Sequence, residues 1–200
     1  MISDDELAKL ASASGVLADS VRRLIDATIR TQVDAATLDA AIKKIDCLAE
    51  ELGVALMPGS FGLRSTGDGQ PMAWGNVMIG LRNPLAPPLS INHEADGLVW
   101  ADFTLGAAYE GPPGHVHGGV CAMVLDHVLG ATAHEPGKPA VTGTLSVRYL
   151  RGTPLGTLRA EAHVDRVEGV KTFVSGHIAD AQGITVRAKG VFFHPRESRV

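Results

Sequence analysis

The chain has 200 residues, a formal net charge of −4 and two cysteines. That length suits one domain with a core of its own and no disulfide staples, and the acidic balance argues against nucleic acid as a main partner. The N-terminal Met-Ile-Ser-Asp-Asp-Glu lacks the basic and apolar regions of a signal peptide, and no apolar run reaches the roughly 20 residues of a membrane span, so a soluble, cytoplasmic protein without membrane insertion is expected.

Residues 3 to 52 read as helical. Ser3 and Glu6 have capping-box spacing, and Leu7, Leu10, Leu17, Val21, Leu24 and Ile25 recur three and four apart. The pattern resumes from Thr37 to Glu51 with Leu38, Ile42, Ile45 and Leu48, and Gly53 ends it. Residues 1–56 are therefore expected to form an amphipathic helical arm that packs or contacts another subunit. Acidic and basic residues balance along it, which argues against a membrane-surface helix. Gly, Pro and scattered apolar residues over 57–88 predict an irregular linker.

From Leu89 the apolar period changes to two, with a hairpin expected over 89–93 and 97–105. Four further strands are expected near 139–150, 156–167, 171–180 and 183–193, ahead of a polar tail at 195–200. Between the hairpin and these strands lies 114–134, a loop feeding a helix whose first turn is Gly118-Gly119. Val120, Cys121, Val124, Leu125, Val128 and Leu129 form one apolar stripe, and the opposite side carries small residues rather than Lys and Glu, predicting a helix buried all round. Cys47 and Cys121 both fall in apolar helical patterns, predicting two buried thiols in a reducing compartment.

One carboxylate, Asp126, sits inside that helix. An unpaired buried charge costs several kcal/mol or shifts its pKa, so Asp126 either fixes packing through a hydroxyl or backbone partner, or does chemistry. The preceding His117-Gly118-Gly119 puts backbone N–H groups and a partial positive charge where a ligand can approach closely, which suits an oxygen that becomes an oxyanion. Gly119 N–H is the candidate donor, and His117 either positions the carbonyl or caps the helix. His115 and His117 lack a third clustered ligand of clear spacing, so no metal is expected, and no cofactor.

His117-Gly118-Gly119, Asp126, Thr142 and the strand Gly143-Thr-Leu-Ser-Val-Arg-Tyr-Leu-Arg151, followed by Val167-Glu-Gly-Val-Lys171, resemble the hotdog-fold acyl-CoA thioesterases of the phenylacetyl-CoA type. The resemblance runs from about Asn83 to His194. It implies an α+β hotdog domain over 89–194, a curled antiparallel sheet of about six strands around the apolar helix, with the helical arm added. It implies hydrolysis of acyl-CoA thioesters, with Asp126 as general base or nucleophile and the Gly119 N–H as oxyanion donor. Thr142 would orient the water beside Asp126. Thr144, two residues on and expected to face the same way, is the competing hydroxyl. Substrate contacts map onto Arg148, Leu150, Val170 and Lys171, the two cations suiting coenzyme A phosphates.

Gly119 and Asp126 lie seven residues apart, roughly 10 Å along a helix axis. One helix does not bring both to one carbonyl, and the resemblance implies a homodimer with sites at the subunit interface, or a dimer of dimers. Two other functions stay open on the same fold: hydration or dehydration of acyl thioesters, and non-catalytic binding of acyl-CoA or a partner protein.

Overall fold

The computed structural model describes residues 3–62, 64–65, 71–87, 89–134 and 139–194. The expected polar tail lies outside the described residues, as does most of the turn after the apolar helix. The chain divides into two compact units, residues 1–84 and 85–200.

In the first unit, α1 spans Asp4–Arg30 and α2 spans Ala35–Gly53. Ser3 caps α1 through the reciprocal box with Glu6, its backbone N–H donating to the Glu6 carboxylate at 2.9 Å. Asp34 caps α2 by accepting from the Thr37 N–H at 2.8 Å, which satisfies a first-turn donor. Ser14 and Ala18 are buried on α1, where a Cβ on Gly15 would meet the Leu81 side chain at 3.0 Å. The Arg22 guanidinium donates to the Asn83 carbonyl at 3.0 Å. Segment 57–84 is thus partly built: Phe61 stacks on Trp74 at 5.9 Å, and β1 (Arg64–Ser65) pairs with β2 (Pro71–Met72). No residue of α2 is buried, and Leu38, Ile42, Ile45, Leu48 and Leu52 stand exposed. Cys47 is exposed with them, its Sγ 3.5 Å from Glu51 Oε1. This corrects the expectation of a buried thiol there: apolar spacing implies a covered stripe only where something packs on it.

The second unit holds β3 (Asn92–His93), β4 (Val99–Leu105), a short 3-10 turn, α3 (Gly118–Ala133), β5 (Val141–Tyr149), β6 (Gly156–Glu168), β7 (Lys171–Asp180) and β8 (Gly183–Phe193). The six strands form one antiparallel sheet in the order β3-β4-β6-β7-β8-β5. Each strand alternates buried and open residues, as on β7, where Thr172, Val174, Gly176 and Ile178 point inward. The inner face covers α3, whose Val124, Leu125, Val128 and Leu129 are fully buried. Each of these side chains contributes about 2 kcal/mol of hydrophobic stabilisation. Leu129 approaches so closely that a Cβ on Gly176 would lie 2.7 Å from its Cδ1.

The sheet covers only one side of α3. Gly119 is exposed, and Ala122, Met123, Asp126, His127 and Gly130 are half-buried. The helix expected to be buried all round is therefore half-open within its own chain. Beside that open side lies β5, at the edge of the sheet.

Candidate active site

Two hydrogen bonds tie β5 to α3. At the helix start the Tyr149 hydroxyl donates to the Gly118 carbonyl at 2.8 Å, and two turns later Thr142 Oγ1 donates to Asp126 Oδ1 at 2.9 Å. Gly118 and Asp126 are eight residues apart, about 12 Å along the axis. The strand therefore runs against the helix direction, pinned at both ends. Tyr149 was not singled out by its sequence context, where it reads as an ordinary strand aromatic.

A bulge decides which hydroxyl meets Asp126. Thr142 pairs with Phe192 and Thr144 with Val191, leaving Gly143 as the extra residue. Phe192 is buried on the inner face, so Thr142 shares the side of α3. Thr144 falls on the outer face. This corrects the expectation that both threonines face the same way: strict alternation fails by one residue at the bulge. A Cβ at position 143 would overlap the Phe193 ring, which is why glycine fits there.

His117 is the N-cap of α3. Its Nδ1 accepts from the Gly119 N–H at 3.0 Å, and its carbonyl accepts from the Val120 N–H at 2.9 Å. Of the two roles open to His117, the geometry displays capping, and the candidate oxyanion donor Gly119 is held by it. The Gly118 N–H has no acceptor among the described residues. The entry loop is fixed by Gly111 N–H to the His115 carbonyl at 2.9 Å and by Val116 N–H to the Thr153 carbonyl at 2.8 Å. His115 lies against Gly152, its Nδ1 2.9 Å from the Pro113 carbonyl oxygen.

A cavity of about 430 Å³ opens beside this helix start, lined among others by Gly118, Cys121, Tyr149, Leu150 and Thr153. Its rim is anchored from behind. Thr185 sits at a second bulge, between the pairs Ile178–Val186 and Ala179–Ile184. Its carbonyl accepts from the Leu150 N–H at 2.9 Å, and its hydroxyl accepts from Thr153 at 2.8 Å. Arg151 forms a fork with Asp180 and holds that carboxyl down to about 2, chiefly through hydrogen bonding. Burial pushes the Cys121 thiol up, against a hydrogen bond from Thr153, so it stays a neutral thiol in the cavity wall. Burial also pushes His127 down, opposed by the neighbouring Asp126.

The four expected substrate residues separate into two groups. Arg148 and Leu150 stand at one end of β5, Leu150 on the cavity rim. Val170 and Lys171 stand at the β6–β7 turn, both exposed, with Lys171 Nζ 5.6 Å from the Phe193 ring centroid. Through β8 the register places Arg148 opposite Arg187 and Lys171 opposite Phe193. Six residues separate those partners, about 20 Å along a strand. One chain does not bring Arg148 and Lys171 to a single phosphate.

The sequence profile of the thioesterase superfamily matches residues 113–186, the stretch that carries α3, β5, β6 and β7. The crystal structure of a thioesterase superfamily protein is 35% identical, superposes with a TM-score of 0.79, and is matched over 90% of this chain and 94% of its own. The chain belongs to the thioesterase superfamily. As a thioesterase-superfamily member it has the α+β hotdog fold, with α1 and α2 as an N-terminal helical arm. Human acyl-coenzyme A thioesterase THEM5 is 32% identical over 93 residues, which cover 45% of this chain and 38% of that protein. Acyl-coenzyme A thioesterase THEM4 of Xenopus laevis is 38% identical over 77 residues, covering 38% and 35% respectively. The chain thus spans well under half the length of these curated relatives. The PaaI protein of E. coli, from the phenylacetic acid degradation operon, shares the fold at 20% identity and a TM-score of 0.50, over 54% of this chain and 80% of its own.

Proposed function

We propose that the protein hydrolyses acyl-CoA thioesters to a free acid and coenzyme A. The observation that carries this reading is the Thr142–Asp126 hydrogen bond on the open side of α3. It engages one carboxylate oxygen and leaves the other to act on a water or on the acyl carbon. As general base, Asp126 takes a proton from water as its oxygen adds to the thioester carbonyl, and the tetrahedral oxyanion collapses with loss of the coenzyme A thiolate, which takes up a proton. As nucleophile, it would form an anhydride that water then opens. Superfamily membership and the acyl-CoA thioesterase names of the curated relatives support the substrate class.

The site is completed in this reading by a second copy. β5 is a nine-residue edge strand whose free backbone groups can pair with another strand, and Val141 and Tyr149 on it are 51% and 52% exposed. Antiparallel pairing of two β5 strands sets the Tyr149 end of one against the Thr142 end of the other. Because Tyr149 marks the start of α3 and Thr142 marks Asp126, this pairing turns the Gly118-Gly119 donors of one chain toward Asp126 of the partner subunit. A carbonyl oxygen arriving there competes with His117 for the Gly119 N–H. Leu150 would flank the pantetheine arm, while Arg148 of one chain and the Val170–Lys171 turn of another would meet the nucleotide. A dimer of dimers is compatible with the same pairing.

A reducing compartment such as the cytoplasm goes with this reading, supported by Cys47 and Cys121 being free thiols; trapping both as thiols in rapidly quenched cells tests it. Among the described residues no helix is long and apolar enough to cross a membrane.

The decisive test is release of free thiol from short, aromatic and long acyl-CoA thioesters by wild type and Asp126→Asn. At least about a hundredfold loss in the variant, with its melting temperature kept, is expected. Equal turnover by the variant would remove Asp126 from the chemistry, and no turnover by the wild type on any substrate would overturn the hydrolase reading.

A further inference from the structure

The outer face of the sheet, turned away from α3, carries a concentration of positive charge that the hydrolytic site does not use. Register sets it out in two rows across β6, β7, β8 and β5. One row reads Glu161, His177, Arg187, Arg148, and the next reads His163, Ser175, Lys189, Ser146. Residues directly opposite in an antiparallel sheet share a face, and the intervening Gly176, Val186 and Ala188 are buried inward. A cleft of about 540 Å³ opens over these rows.

The two ends of the cleft differ. At the β6 end, carboxylates balance the histidines: His163 Nε2 lies 3.2 Å from Asp165, and His177 Nε2 lies 3.7 Å from Glu161. At the β8–β5 end, Arg148, Arg187 and Lys189 form no ion pair among the described residues. Elsewhere on the sheet the arginines are matched, Arg159 with Asp102 and Glu161, Arg166 with Glu168, and Arg151 with Asp180. Arg148 and Arg187 moreover stand directly opposite each other, a placement that weakens strand pairing when both are charged. Three unmatched cations, two of them in mutual repulsion, persist on a chain whose net charge is −4.

The chemistry that relieves this arrangement is a compact polyanion. Guanidinium groups grip phosphate oxygens through paired N–H donors, an ammonium adds a point charge, and the Ser146 and Ser175 hydroxyls can supply further donors. Three cations in one cleft match two phosphate groups better than one. We propose that the outer face of β8 and β5 is a binding site for a small molecule bearing two phosphate groups, held by Arg148, Arg187 and Lys189. The site stands back to back with the hydrolytic one: Arg148 faces the outer cleft while its neighbour Tyr149 bonds Gly118 on the inner side.

Calorimetric titration of the full chain with adenosine 3′,5′-bisphosphate and with inorganic pyrophosphate tests this. Arg187 and Lys189 are exposed and outside the catalytic constellation, so Arg187→Ala/Lys189→Ala should fold with an unchanged or raised melting temperature. Binding of at least one probe by wild type, weakened about tenfold or more in the double variant, is expected. Equal binding by both proteins, or no binding of either probe by wild type at concentrations on the order of 1 mM, overturns the proposal. Neither titration needs turnover, so it stands or falls apart from the hydrolase reading. A further arm, which rests on that reading, separates the sources. If the phosphates are those of the substrate, the double variant raises KM for acyl-CoA and leaves hydrolysis of the matching N-acetylcysteamine thioester unchanged. If they belong to a separate ligand, acyl-CoA KM stays put while the probe affinity falls.

Discussion

Thr142 reaches Asp126 because Gly143 interrupts the alternation of β5. Without the extra residue, the strand would carry Thr142 and Thr144 on one face, and the hydroxyl 2.9 Å from Asp126 Oδ1 would have a rival. Thr142→Val should therefore lower kcat/KM roughly tenfold to a hundredfold, with Thr142→Ser recovering most of the loss. Thr144→Val should leave activity near wild type. Steady-state kinetics on one good substrate decides it, and equal effects at both positions would contradict the assignment of faces.

Gly143→Ala should lower activity and stability together. The added methyl meets the Phe193 ring, so either the ring moves or the bulge straightens and carries Thr142 away from Asp126. A cost of about 1–3 kcal/mol is expected for such overpacking, measured by denaturant unfolding. A variant as stable and active as wild type would show that the bulge tolerates a side chain.

If the start of one α3 works with Asp126 of the partner subunit, two inactive proteins should rescue each other. Asp126→Asn leaves the helix-start donors intact, whereas Gly119→Pro removes the Gly119 N–H and leaves Asp126 intact. A heterodimer of the two carries one intact site out of two and should show about half the wild-type turnover. Tagged co-expression and purification of the mixed dimer reads this directly. An inactive heterodimer would place both groups in sites formed within one chain.

The two thiols should separate cleanly under a thiol reagent. Cys47 is exposed on α2, whereas Cys121 is buried in α3 and pushed toward the neutral form. One equivalent should react with native protein, carried by Cys47 on peptide mapping, and the second only after denaturation. Activity should survive the first modification. Rapid labelling of Cys121 in the native chain would mean that the cavity wall opens.

Much of this was legible in the chain before folding was considered. The period-two runs after Leu89 gave the strands, since one-sided burial leaves its mark at every second residue, and the charge-free stripe of α3 marked the helix that the sheet covers. The Asp126–Thr142 pairing came from motif resemblance rather than from periodicity, for 16 residues of chain separate the two. Three features escaped. A glycine in a strand does not announce which way a bulge will throw its neighbours, so Thr144 was placed on the wrong face. The amphipathic spacing around Cys47 looks the same whether or not a partner covers it. Tyr149 and the Arg151–Asp180 fork depend on strands brought together across the sheet, and no local spacing encodes them.

Acid should weaken the fold in two separate stages. Burial holds His127 and His177 below the 6.5 of a free imidazole, with Asp126 and Glu161 respectively opposing the shift. Between their folded values and 6.5 the unfolded chain binds more protons than the folded one, so stability rises with pH across that window and falls as pH drops below about 6.5. Each histidine can add at most about 1.4 kcal/mol per pH unit to that slope. Asp180 behaves with the opposite charge change. Its carboxyl is held at about 2 against an ordinary 3.8, so its contribution is intact above 3.8 and is lost as pH falls through 2. Melting temperatures followed from pH 8 to pH 2 should therefore decline first below about 6.5 and again below about 4. His127→Asn should flatten the first stage and Asp180→Asn the second, the latter also lowering stability at neutral pH because Arg151 loses its charged partner. A first stage that is unchanged in both His127→Asn and His177→Gln would assign the acid sensitivity to other groups.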